Sequence, residues 1–278
     1  MNVHFLYPCD FFDNKKVEEQ YREEYGAAKN HGLNVHVFNQ EDILGSPVKP
    51  ALDLNDENLQ IVYRGWMLNE EQYGNLAQRF GNALLTSLSD YLKAHHLPGW
   101  YDLLKPWTIP SIITTAEQAP EVMKDMDKPM FIKDYVKSLK TGKGSIVENA
   151  EDVKRALEDM LFYRNQIEGG IVLREKVDLI AESEKRFFII HHQVYGVKEA
   201  TDEQWNLALQ INEVLKNQAT NLSFISLDIA LLADGQPVAV EMGDGQVSDY
   251  TGWQVQEFVE NLANLENVVH QNKKGKKI

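Results

Sequence analysis

The chain has 278 residues, 43% of them hydrophobic, and a formal net charge of −14. It is long enough to bury a substantial core as two lobes or one large α/β unit, and its acidity argues against a general nucleic-acid or anionic-membrane binder, local basic patches aside. The one cysteine, Cys9, excludes an internal disulfide framework and fits a reducing compartment; with no apolar run of bilayer length and no basic-led apolar leader, a soluble, cytoplasmic protein is expected.

Val3 to Pro8 reads as a first strand, Asn14 to Asn30 as a helix ending near Gly32, and Leu33 to Phe38 as a second strand. This β-α-β opening predicts an open α/β lobe whose ligands gather at the carboxyl ends of its strands. Ile61 to Tyr63 supplies a third strand, and Arg64 lies at such an end, where it serves either a structural salt bridge or a substrate anion. Asn69 to Phe80 and Asn82 to His95 have helical spacing. His95 and His96 project to different faces and do not make a metal pair. Trp100 to Trp107, broken by Pro106 and Pro110, is the expected lobe boundary. Its aromatics, with Trp66, either pack or line an acceptor pocket.

Next comes a strand, Pro129 to Lys133, that runs into a loop carrying Lys137, Lys140 and Lys143 among two glycines and two hydroxyl residues. Such a loop can offer N–H groups and ammonium charges to a polyphosphate, or can be a solvated basic hairpin. It lacks the GxxxxGK[ST] spacing of a Walker loop. Asn149 to Tyr163 is an amphipathic helix. Ile171 to Val177 is a buried strand turning polar at its exit, able to present its backbone to an adenine edge with Arg174 towards phosphate. Glu184 to Ile190 alternates, with Arg186 and Phe188 on one face and Phe187 and Ile189 on the other.

After a helix from Asp202 to Lys216, the stretch Ser223 to Ser248 forms two strands joined at Asp234-Gly235. Asp228 and Glu241 then fall on neighbouring strands inside apolar runs. Either they face water at an edge, or a cation or hydrogen-bond network lies between them, because an unpaired buried carboxylate is costly. The Gly243-Asp244-Gly245 turn favours close approach of a ligand. Trp253 to Leu265 closes the chain as an amphipathic helix.

With Lys133, Lys137, Arg174, Arg186, Asp228 and Glu241 in this order along alternating elements, the chain resembles ATP-grasp proteins from Pro110 to Leu265. More narrowly, KSLKTG at 137–142, VLRE at 172–175, EKRFF at 184–188 and VEMGDGQVS at 240–248 are similar to the clade named for two arginines and one lysine. Residues 63–66 and 95–101 also fit a bacterial and phage branch of it. The resemblance implies an α/β (α+β) fold with an N-terminal open lobe at 1–108, a central ATP-grasp lobe at 109–177 and a C-terminal one at 178–278. It implies that Lys133 and Lys137 hold ATP phosphates and that Val172, Leu173, Arg174, Glu175 and Val177 form the adenine hinge. Arg174 and Arg186, with Lys137, stabilise the transferring phosphoryl group, and Asp228 and Glu241 bind magnesium. The usual asparagine two residues after the glutamate is here Gly243, so Asp244 is expected to take over a metal contact, and Arg64 to meet the substrate. The implied activity is ATP- and magnesium-dependent ligation of a carboxylate to an amine, on a small molecule or a peptide. An RNA ligase or repair enzyme, disfavoured by the net charge, and a non-catalytic ATP-binding module are the alternatives.

Overall fold

The computed structural model describes residues 2–39, 52–138, 144–218 and 221–266. The N-terminal part contains β1 (Asn2–Pro8), α1 (Arg22–His31), β2 (Asn34–Phe38) and β3 (Leu59–Tyr63), its strands forming a parallel sheet in the order β2-β1-β3. The first helix starts later than its periodicity suggests. The Asp10 and Asp13 carboxylates accept hydrogen bonds from the N–H groups of Phe12, Asp13 and Lys15, and these local turns outcompete a helical turn. α1 stops at Gly32, whose φ of 96° is left-handed and costs glycine little.

α2 (Glu70–Phe80) opens on a reciprocal cap between Asn69 and Gln72, and α3 (Leu88–His95) on the Ser87 hydroxyl. Pro98 does not end the helical region. It sits in the first turn of α4 (Leu97–Leu104), where its missing N–H leaves nothing unbonded. Gly99 allows the corner between α3 and α4, since a Cβ there would stand 2.5 Å from the Lys93 carbonyl oxygen. Trp100 and Tyr101 are buried with Leu97 and Leu104, so the aromatic run at the expected boundary is core.

The second sheet contains β4 (Ser111–Thr114), β5 (Met130–Asp134), β6 (Ile146–Val147) and β7 (Ile171–Glu175) in the antiparallel order β4-β7-β5-β6. Met130, Ile132, Ile171 and Leu173 turn to one face and pack against α5 (Ala119–Lys124) and α6 (Ala150–Arg164). The alternate residues, Lys133 and Arg174 among them, turn to the other face.

The third sheet joins β8 (Lys185–Ile190), β9 (Gln193–Gly196), β10 (Phe224–Leu231) and β11 (Pro237–Asp244) in the antiparallel order β11-β10-β8-β9. His191 and His192 form the tight turn between β8 and β9, both with positive φ. One face, with Phe187, Ile189, Leu227 and Met242, packs on α7 (Asp202–Asn217) and α4. The other, with Phe188 and Phe224, packs on α8 (Val255–Leu262) and on Phe5 and Tyr7 of β1. Along this second face the apolar packing gives way to Ser226, Asp228, Glu241 and Arg186. No helix among the described residues is long and apolar enough to cross a membrane.

Candidate active site

Register builds the site. Asp228 on β10 stands opposite Arg186 on β8 and Glu241 on β11, so the three share one face of the sheet. The pairing shifts between Asp228 and Ile229, a bulge of the kind that re-aims side chains. Arg186 grips Asp228 with two parallel bonds, Nε to Oδ1 at 2.8 Å and Nη2 to Oδ2 at 2.7 Å, and donates through Nη1 to Asp249. Lys133, arriving from β5, donates to Glu241 Oε1 at 2.9 Å. Arg174, from β7, donates to the Val240 carbonyl at 2.7 Å and to the Thr108 hydroxyl at 3.0 Å. The Arg174 Nε is buried without a hydrogen-bond partner among the described residues.

Five of the expected residues therefore meet in one cluster where the two antiparallel sheets face each other: Lys133, Arg174, Arg186, Asp228 and Glu241. Their charges are coupled. Burial opposes the Arg186 charge, but the hydrogen bonds and charge of Asp228, with Asp249 and Glu241, hold it above its usual value. Burial pushes the Asp228 carboxyl up, Arg186 opposing. Burial lowers Arg174 to about 10 despite Glu241 and Tyr101. The Glu241 side chain, 43% exposed, is the open corner of the cluster.

Other expected residues lie elsewhere. Arg64 is fully buried, and its five donors go to Glu24 and to the carbonyls of Gly245, Gln246 and Ser248. It has no donor left for a substrate anion, and the structural alternative is the one observed. Asp244 is three residues from Glu241 along a strand and falls on the opposite face, in register with Ile225. There it caps the Gln246 N–H at 2.8 Å, turned away from the face that carries Asp228 and Glu241, and burial raises its carboxyl to about 6. Val172 and Leu173 lie in β7, the strand flanked by β4 and β5, with backbones committed to both neighbours. An adenine edge cannot be read there. The strand exit at Glu175, Lys176 and Val177 keeps that possibility, with Glu175 also paired to Lys128 at 2.8 Å. Lys137 follows β5 beyond Asp134 and lines a cleft of about 290 Å³ with Asn69, Gln72, Asp134, Arg164 and Glu168, away from the five-residue cluster. The rest of the basic loop, residues 139–143, lies outside the described residues.

Two contributors escaped the sequence. Thr108 donates to the Ala239 carbonyl at 2.7 Å and accepts from Arg174, bridging the two sheets, yet a lone threonine after Trp107 carries no pattern. Asp249 holds Arg186 from beyond β11.

Residues 107–262 match the family described as an ATP-grasp domain, family 3 of the clade named for two arginines and one lysine. Among solved structures, the chain is similar to the D-cycloserine synthetase DcsG, at 14% identity and a TM-score of 0.64 over 94% of this chain and 99% of that one. It is similar to the macrocyclase MdnC bound with precursor peptide MdnA from Microcystis aeruginosa MRC, at 14% identity and a TM-score of 0.58 over 95% and 100%. It is also similar to the ATP-grasp ligase PsnB complexed with minimal precursor, Mg and ADP, at 10% identity and a TM-score of 0.57 over 95% and 97%. No curated protein sequence matches the chain. At these identities the structures establish a shared fold.

Proposed function

The chain belongs to family 3 of that two-arginine, one-lysine clade of ATP-grasp domains, and on that premise we propose that it is an ATP- and magnesium-dependent ligase joining a carboxylate to an amine, on a small molecule or a peptide. The observation that carries this reading is the convergence of Lys133 and Arg186 on the Asp228–Glu241 pair, with Arg174 bonded to the adjoining Val240 carbonyl, at the facing surfaces of two antiparallel sheets. The donor set fits magnesium, a hard cation commonly held by one or two carboxylates, with phosphate oxygens and water filling the remaining positions. It fits a triphosphate as well. The Arg174 Nε has no partner among the described residues, and Lys133 is held by a carboxylate that the cation would claim.

In this reading the nucleotide lies between a central lobe at 109–177 and a C-terminal lobe at 178–278, with the lobe at 1–108 closing one side. Asp228 and Glu241 would hold the magnesium ion, which when bound would neutralise charge on the transferring phosphoryl group. Lys133 orients the phosphate chain, and residues 175–177 carry the adenine contact. Arg174 and Arg186 face the charge that grows as a substrate carboxylate oxygen attacks the γ-phosphorus and ADP departs. The amine nitrogen then adds to the acyl carbon, inorganic phosphate leaves, and the amine proton passes to solvent or a base. Such a reaction needs positioning and charge neutralisation rather than a protein nucleophile, and none of the five side chains is a serine, threonine or cysteine. MdnC and PsnB are solved with precursor peptides and DcsG is a D-cycloserine synthetase, so both acceptor classes stand within this proposal.

Calorimetric titration of ATP, with and without magnesium, into wild type and Glu241→Gln tests it. Magnesium-dependent binding weakened at least tenfold by the substitution is expected. Absence of binding to the wild type would overturn the reading.

A further inference from the structure

Beyond the two carboxylates, the same face of the hairpin continues to the next register pair, Ser226 opposite Gly243. These residues adjoin Asp228 and Glu241 at a spacing of two along each strand, so they look onto the same space. Nothing projects from position 243. A Cβ placed there would stand 2.9 Å from the Ser226 Oγ and 3.6 Å from the Ser248 Oγ, and no other atoms among the described residues, its chain neighbours aside, lie within 4 Å. The space a side chain at 243 would take is therefore bordered by the two serine hydroxyls.

The hydrogen bonds orient that oxygen. Ser248 Oγ donates its one hydrogen to the Asp244 carbonyl at 2.8 Å, which leaves it only acceptor capacity. Ser226 and Ser248 are 2.7 Å apart, so Ser226 must be the donor of the pair. The Ser226 hydrogen is thus turned away towards Ser248, and its lone pairs remain. Ser226 is 5% exposed, so those lone pairs are largely shielded from bulk water. A serine hydroxyl with its hydrogen bonded elsewhere is a hard neutral oxygen ligand, the role hydroxyls play towards magnesium in phosphate-binding loops.

We propose that the Ser226 hydroxyl is a further ligand for the cation held by Asp228 and Glu241, oriented by Ser248 and given room by Gly243. The inference rests on the reading of the site as a magnesium–nucleotide centre. It explains why a side chain is missing at 243: the smallest Cβ there would push the Ser226 oxygen aside.

Manganese, which is paramagnetic and takes the same hard oxygen ligands, is the probe. Electron paramagnetic resonance titration of Mn2+ into the protein with a non-hydrolysable ATP analogue gives the ion's affinity without turnover. Ser226→Ala and Gly243→Ala are expected to weaken Mn2+ at least tenfold, Ser226→Ala while the thermal midpoint of the unliganded protein holds, and Ser226→Thr, which keeps the hydroxyl, is expected to retain the wild-type affinity. Unchanged affinity in Ser226→Ala, with analogue binding still dependent on Mn2+, would overturn the inference and leave the ligase reading standing. No Mn2+-dependent binding of the analogue by the wild type would overturn both.

Discussion

Arg64, just past the end of β3, and Arg186, on β8, look alike in the sequence, each beside aromatic residues, yet the structure uses them in opposite ways. Arg64 is enclosed by Glu24, at 2.7 Å through both Nε and Nη2, and by three carbonyls of the 245–248 turn, with its guanidinium 5.1 Å over the Phe258 ring. Every donor is spent, and three acceptors are backbone groups that no ligand can replace without dismantling the turn. Arg186 instead donates mainly to two carboxylates, Asp228 and Asp249, and its side chain remains 21% exposed. A closed network ties the N-terminal sheet to the turn after β11. An open one holds charges that a cation and a phosphate can exchange.

The sharpest break of this comparison is Arg64→Ala. It strands the Glu24 carboxylate, 2% exposed, without its cation, and deprives three carbonyls of a donor. Removing one partner of a buried pair costs about 3–5 kcal/mol, to be read as a shift in urea unfolding midpoint. A protein of unchanged stability that binds its acceptor more weakly would return Arg64 to the substrate. Arg186→Ala should do the reverse. Its unfolding midpoint should move less than that of Arg64→Ala, because Arg186 is itself partly exposed and the Asp228 carboxyl, which burial already pushes up, can take up a proton, while ATP turnover falls on the order of a hundredfold or more. Turnover surviving the change would remove Arg186 from the chemistry.

How far this contrast could be read in advance depends on distance along the chain. The Asp228–Glu241 pairing and the alternation of β8 follow from a period of two and an Asp-Gly turn, both local, and both appear in the structure. Glu24 lies 40 residues before Arg64 on a helix whose pattern looks solvent-facing, and only the tertiary fold brings the two together. The short helix at Leu97–Leu104 was hidden because Pro98 and Gly99 resemble a break, although proline is at home in a first turn. That Val172 and Leu173 lie in a strand flanked on both sides is a matter of sheet order, which a list of strands without their order does not reveal. Asp244 was different. Its odd spacing from Glu241 already set it on the other face, so parity held the answer.

That opposite face allows a subtler test, since Asp244 is an acid inside the closed network. Burial lifts its carboxyl from 3.8 to about 6, against the hydrogen bonds from Gln246 and Thr86. The sign follows from the raised value: the folded state tolerates the protonated acid and resists the ionised one. Its contribution to stability is fully present below about pH 3.8 and is lost as pH rises through 6. Asp244→Asn does not titrate. The stability of the wild type relative to this variant should therefore fall by on the order of 2–3 kcal/mol between about pH 4 and pH 7, with and without magnesium alike. A difference that stays flat, or that flattens when magnesium is added, would give Asp244 a cation and open the network that Arg64 is argued to close.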